Sequence, residues 1–177
     1  VANKLGLNRL IFLHNSMVTK LNNLSSGTEE FFEKLPGYDV LRLILCKKAV
    51  LVEGDCDELV FQRAYKDKNG RLPIEDGVDV ISVGTSFLRF LEVADNVKKE
   101  VIVLTDNDGD VSALEKKYKD YLGPNKKEYI DIFYEQAEHH YSGTIMKYNN
   151  NNFLIFINQK KLIMRLHIIV LIMLKTF

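Results

Sequence analysis

Four short apolar runs recur through the middle of the chain, and each of the first three is followed by a segment whose apolar positions fall at helical spacing. The runs are Ala49–Val52, Val78–Val83, Val101–Leu104 and Ile130–Tyr134. They are rich in Val and Ile, short, and bounded by polar or glycine-containing segments, which is how buried strands read. Between them, a helix is expected over Asp57 to Lys66 with apolar Leu59, Val60, Phe61 and Ala64, closed by Asn69-Gly70. A second is expected over Ser86 to Ala94, carrying Phe87, Leu88, Phe90, Leu91 and Val93, and a third over Ser112 to Tyr121. Strand and helix alternating at this spacing predict a mainly parallel four-stranded sheet with right-handed crossovers, an α/β fold.

Outside this repeat the pattern is weaker. Leu10-Ile11-Phe12-Leu13 reads as a short strand, and the polar stretch from Asn15 to Thr28 as a loop. Thr28 is placed to cap a helix beginning Thr-Glu-Glu-Phe, which Pro36-Gly37 breaks; Asp39 to Cys46 then forms another, with Val40, Leu41, Leu43 and Ile44 as its stripe. From Asn149 to Phe177 there is no Asp or Glu, and Leu162 to Phe177 is rich in Ile, Leu and Met. A membrane span needs about 20 consecutive apolar residues. This run is shorter and is interrupted by Arg165, His167 and Lys175, so no membrane role is expected. It reads as a packing helix, an oligomer contact (hence a possible homo-oligomer), or a tail that does not naturally continue the domain, such as a shifted frame.

Composition narrows the class. A chain of 177 residues is one domain with a short appendage, and 46% hydrophobic with 27% charged residues is the balance of an ordinary globular protein. The formal net charge is zero, so no global basic field argues for nucleic acid. Neutrality does not exclude it, because an acidic metal site and a basic groove cancel in the sum. Cys46 and Cys56 alone make no disulfide framework, which points to the cytoplasm. The N-terminus lacks both a signal-peptide core and an initiator Met, and is read as the start of a fragment.

The chemistry lies where the first and third strands end. Glu53-Gly54-Asp55-Cys56-Asp57-Glu58 follows one, and Thr105-Asp106-Asn107-Asp108-Gly109-Asp110 follows the other. Open α/β sheets bind ligands in the crevice beyond the carboxyl ends of their strands. Were the two strands neighbours, Glu53, Asp57, Asp106 and Asp108 would converge. Like charges about 4 Å apart repel by roughly 4 kcal/mol at an effective dielectric near 20, so a divalent cation is the natural occupant.

Plainer readings compete. Acidic residues favour helix N-termini, and Asp55 and Glu58 fit that role. The second cluster alone reads equally as a solvated loop. An EF-hand is disfavoured because its sixth and twelfth places hold Val111 and Lys117. A phosphatase of the haloacid-dehalogenase kind would put Thr or Val where Asp110 stands. His139-His140 point in different directions on any element. Lys47-Lys48 and Lys116-Lys117-Lys119 read as solvated faces, and Thr85 and Ser86 as helix caps.

Taken together, Glu at one strand end, a glycine turn at Gly84 after a second, and Asp106-x-Asp108 after a third resemble the Toprim signature of topoisomerases, primases, small ribonucleases and OLD-family (overcoming lysogenization defect) nucleases. Phe31-Phe32-Glu33-Lys34-Leu35-Pro36-Gly37-Tyr38-Asp39, Leu41-Arg42-Leu43-Ile44-Leu45 and Val52-Glu53-Gly54-Asp55-Cys56-Asp57-Glu58-Leu59 look most like the OLD group. Val1-Ala2-Asn3-Lys4-Leu5-Gly6-Leu7 looks like the end of the ATPase domain that precedes Toprim there.

The resemblance implies a division into 1–47, an ATPase remnant with linker helices; 48–135, the Toprim domain; and 136–177, an atypical tail. It implies a hydrolase, a DNA endonuclease using two Mg²⁺ or Mn²⁺ ions. Glu53, Asp57, Asp106 and Asp108 would be its catalytic carboxylates, Asp110 a further ligand, and Gly54 and Gly84 its structural turns. ATP would enter only through an upstream portion, since no Walker A loop is present here. The chain departs from the family at Gly143-Thr144-Ile145-Met146, where a Glu is expected, and the family's later basic residue has no clear counterpart among Lys160, Lys161 and Arg165. The alternative is accordingly a vestigial nucleic-acid-binding or interaction module.

Overall fold

In a computed structural model of the chain, residues 11–14, 17–21, 23–34, 38–106 and 108–134 are described. Two antiparallel strands come first, β1 (Ile11–His14) and β2 (Met17–Lys20), followed by helices α1 (Ser26–Lys34) and α2 (Tyr38–Leu45). The repeat follows: β3 (Lys48–Val52), α3 (Asp55–Asn69), β4 (Val78–Ser82), α4 (Phe87–Val97), β5 (Glu100–Leu104), α5 (Val111–Lys117) and β6 (Ile130–Phe133). Short 3₁₀ turns at Pro73–Asp76 and Gly123–Asn125 connect α3 to β4 and α5 to β6.

The four strands of the repeat form one sheet in the order β4-β3-β5-β6, with every pairing parallel. Alternate residues of each strand face opposite layers. Ala49, Leu51, Ile81, Val101, Val103 and Ile130 pack with Phe32, Leu43, Phe87, Phe90, Leu91 and Tyr118. Val50, Val52, Val78, Val80, Ile102 and Leu104 pack with Phe61 and Tyr65 of α3. Helices on both faces explain why the strands are apolar almost throughout rather than alternating.

Polar clamps fix the helices on this sheet. The Arg42 guanidinium of α2 donates to Asp79 of β4 (2.7 and 3.1 Å) and to the Val80 carbonyl (2.7 Å). It also meets Asp39 at 3.3 Å and Glu58 of α3 at 3.4 Å. Burial opposes its charge, but the three carboxylates outweigh burial and raise its pKa. Ser25 and Thr28 at the start of α1 donate their hydroxyls to the Glu92 carboxylate of α4, and Arg89 donates to Thr28 Oγ1 at 3.1 Å. Leu21, Phe32, Val40 and Leu43 therefore share the core of the sheet. The strand–helix repeat starts at Lys48, and the core runs on without a gap from the residues before it to those after it.

Several element boundaries differ from expectation. The stretch read as a loop after Asn15 contains β2, paired with β1 from Ile11↔Lys20 to His14↔Met17. Its outer face, with Leu13 and Val18, is exposed, so the buried-strand signal is missing there. Helix α1 starts before Thr28: the Ser25 hydroxyl and carbonyl accept the Thr28 N–H, and Thr28 lies buried in the first turn. Helix α3 runs longer than expected at both ends and stops at Gly70, whose φ of +76° suits glycine. Helix α5 is shorter, giving way to turns at Tyr118. Ser86 precedes α4, but its side chain makes no cap.

The Gly143–Met146 stretch, His139-His140, Lys160, Lys161, Arg165 and the apolar run after Asn149 lie outside the described residues. So do Val1–Leu7 and Pro36-Gly37. Among the described residues, no helix is long and apolar enough to cross a membrane.

Candidate functional site

The register of the central strands brings the two acidic loops to one edge. The last paired residues of β3 and β5 are Leu51 and Val103, so Glu53 and Thr105 each follow two residues beyond that pair, at the same edge of the sheet. On its other side the β3–β4 ladder continues past the strands: Val83 N–H donates to the Val52 carbonyl (2.9 Å) and Gly84 N–H to the Glu53 carbonyl (3.0 Å). Glu53 thus sits between Gly84 and Thr105, with its side chain half-buried. Gly84 has φ +58°, a left-handed value that explains a glycine there.

The first loop turns directly into α3. Gly54 is the N-cap with φ −132°, an extended value any residue adopts, so this turn does not require glycine for its conformation. Asp57 occupies the third helical position and reaches back to accept the Gly54 N–H through Oδ2 at 2.9 Å. It is 3% exposed, and the positive end of the helix dipole favours its charge. Asp55 is exposed. Glu58 accepts from Gln62 (3.1 Å) and faces Arg42, so it belongs to the clamp on the helix.

The second loop is more open. Asp106 is 6% exposed, as is Thr105, whose N–H continues the ladder to the Phe133 carbonyl at 3.2 Å. Asp108 and Gly109 make an exposed turn with φ +49° and +86°. Asp110 caps α5, accepting the Ala113 N–H through Oδ1 at 2.9 Å. The three carboxylates therefore occupy a buried strand end, a solvent-facing turn and a helix cap.

Tyr118, inside the third helix expected from sequence but not singled out there, belongs to this neighbourhood. It is fully buried just after α5. Burial first, and then the charges of Glu53 and Asp106, push its pKa up to about 12, while Thr105 acts in the opposite sense. Both carboxylates therefore bear on one phenol, although strand alternation sets Glu53 with the layer of Ala49 and Leu51 and Asp106 with that of Ile102 and Leu104. The Lys117 ammonium lies 5.2 Å from the centre of the Tyr118 ring and 5.8 Å from that of Phe87. No sequence signal short of the fold links Tyr118 to Glu53.

Glu53, Asp57, Asp106 and Asp108 thus share an edge, but among the described residues no three His, Cys, Asp or Glu side chains gather as a ready-made metal cage. The donor chemistry nevertheless fits Mg²⁺ or Mn²⁺: hard cations take carboxylate oxygen, and Asp57 and Asp106 hold theirs in buried positions. Cys46 and Cys56 are free thiols, one half-buried and one exposed.

Residues 44–108 match the family model described as the overcoming lysogenization defect protein-like TOPRIM domain. No curated protein and no solved structure matches the chain. The matched segment opens near the end of α2 and closes at Asp108, covering the first acidic loop, the second as far as Asp108, and the three strands β3, β4 and β5.

Proposed function

We propose that this chain, whose residues 44–108 are a Toprim domain of the OLD-like family, is the metal-binding part of a DNA endonuclease that hydrolyses phosphodiester bonds. The domain belongs to a class of metal-dependent nuclease modules that bind Mg²⁺ or similar divalent cations. The observation that carries the proposal is that Glu53 and Asp106 follow directly after β3 and β5, adjacent parallel strands, at the same carboxyl edge of the sheet.

When bound, the cations supply Lewis-acid activation of the phosphate and neutralise developing charge. Glu53 and Asp57 would hold one ion, and Asp106 and Asp108, with Asp110 beside them, the other. Glu53 is the only one of the first pair that is not deeply buried, so it can also accept a proton from an attacking water. The open Asp108–Asp110 turn leaves room for a DNA backbone. ATP dependence would come from a portion upstream of this chain, in line with reading residues 1–47 as the end of an ATPase domain.

Replacing Glu53 or Asp106 by Ala is expected to lower Mn²⁺-dependent nicking of supercoiled plasmid at least about 100-fold, in this chain or in a longer protein containing it. Undiminished nicking by either variant overturns the assignment. One observation favours the second reading, a vestigial binding module: the missing three-carboxylate cage among the described residues. Calorimetric titration with Mn²⁺ separates the two, because a vestigial pocket binds weakly and ignores Glu53→Ala.

A further inference from the structure

Tyr118 carries a polar atom that the core does not need. Its ring lies edge-on to Phe87 (6.5 Å between centroids, 72° between planes), a contact phenylalanine would make equally well. Its hydroxyl is buried and meets no hydrogen-bonding atom at normal geometry. Thr105 is near enough to act on the phenol, but its hydroxyl is directed to the Asp106 carbonyl at 3.3 Å. A buried hydroxyl left unsatisfied destabilises the fold, so a phenol kept at this place calls for a reason that packing does not supply.

Glu53 is the partner the geometry favours. By strand alternation it lies on the same side of the sheet as Ala49 and Leu51, the layer in which Tyr118 packs, whereas Asp106 continues the alternation of Ile102 and Leu104 on the other side. Of the two carboxylates, Glu53 also acts more strongly on the phenol. Tyr118 is tied in turn to the second loop: its N–H donates to the Leu114 carbonyl (3.0 Å), and Leu114 N–H donates to that of Asp110 (3.2 Å).

Resting on the metal-site reading above, we propose that Tyr118 is a positioning residue: when a divalent cation binds, its hydroxyl donates to the Glu53 carboxylate and fixes the rotamer that presents the other carboxylate oxygen to the ion. Outer partners of this kind hold first ligands in place, and their loss typically weakens metal binding about 10–100-fold.

The test compares the wild-type chain with Tyr118→Phe, using Mn²⁺ titration calorimetry, thermal melting without metal, and tyrosine difference absorbance on adding Mn²⁺. The expected result is a melting temperature equal to or above wild type, Mn²⁺ affinity lower by about 10-fold, and loss of a Mn²⁺-induced tyrosine signal that wild type shows. Unchanged affinity, or an unchanged tyrosine signal, overturns the role of Tyr118 while leaving the cation site standing. A variant that melts far below wild type makes Tyr118 a packing residue and equally overturns it. A wild type that binds no Mn²⁺ overturns both readings at once.

Discussion

The loop after β3 and the loop after β5 bring the same kind of side chain to the same edge, yet they are held by different means. In the first, Asp57 is buried and locked to the Gly54 amide, and the neighbouring Glu58 is gripped by Arg42, which also grips β4. In the second, only Asp106 is buried; Asp108 projects from a left-handed turn and Asp110 serves the next helix. The first loop is built by the scaffold before any ligand arrives. The second offers charge with little to restrain it, which is the arrangement expected where a substrate must enter.

The sharpest way to break that contrast is Arg42→Ala. It removes the counter-charge of Asp79 and Glu58, whose side chains are only 14% and 21% exposed. A loss of about 2–3 kcal/mol in chemical denaturation is expected, the cost of leaving two partly buried carboxylates uncompensated. A loss below about 1 kcal/mol would mean that the first loop is not scaffold-built. Asp110→Ala should cost about 1 kcal/mol as a lost helix cap, with faster hydrogen exchange confined to α5. Exchange that also quickens in α3 would show the two loops to be coupled.

The smallest effects carry opposite signs. Gly109→Ser should destabilise by about 1 kcal/mol, because φ is +86° there. Gly54→Ser should be neutral or stabilise by about 0.5 kcal/mol, since φ is −132° and serine is a better N-cap. Equal losses at both positions would mean that a close approach, rather than backbone conformation, keeps glycine after β3.

The order of strands and helices was legible because Val50–Val52 and Val101–Leu104 are buried on both faces, and such runs read the same in any context. Strand β2 was not, because half of it faces solvent and Thr19 and Lys20 look like loop. The end of α3 was understated because Asp67, Lys68 and Asn69 are polar all round, and only the glycine cap shows where the helix stops. The carboxylates of the edge were legible as a group from their place at strand ends. Their individual burial was not: adjacent acids in one motif, Asp106 and Asp108, differ from buried to exposed through a single turn. Arg42 and Tyr118 were invisible because Asp79, which Arg42 grips, comes near only after the sheet has formed, and because nothing short of the fold brings Tyr118 to the neighbourhood of the edge.

Strand β3 lies inside the sheet but is made before either of its neighbours. Lys48 waits for Val78 on one side and Glu100 on the other, and Glu53 gains Gly84, Thr105 and Tyr118 only as later stretches are translated. Long-range parallel pairing forms slowly, since distant chain segments must meet before their contacts stabilise them. A nascent chain ending before Glu100 consequently carries Glu53 and Asp57 without the strand that brings Asp106 and Asp108 to their edge.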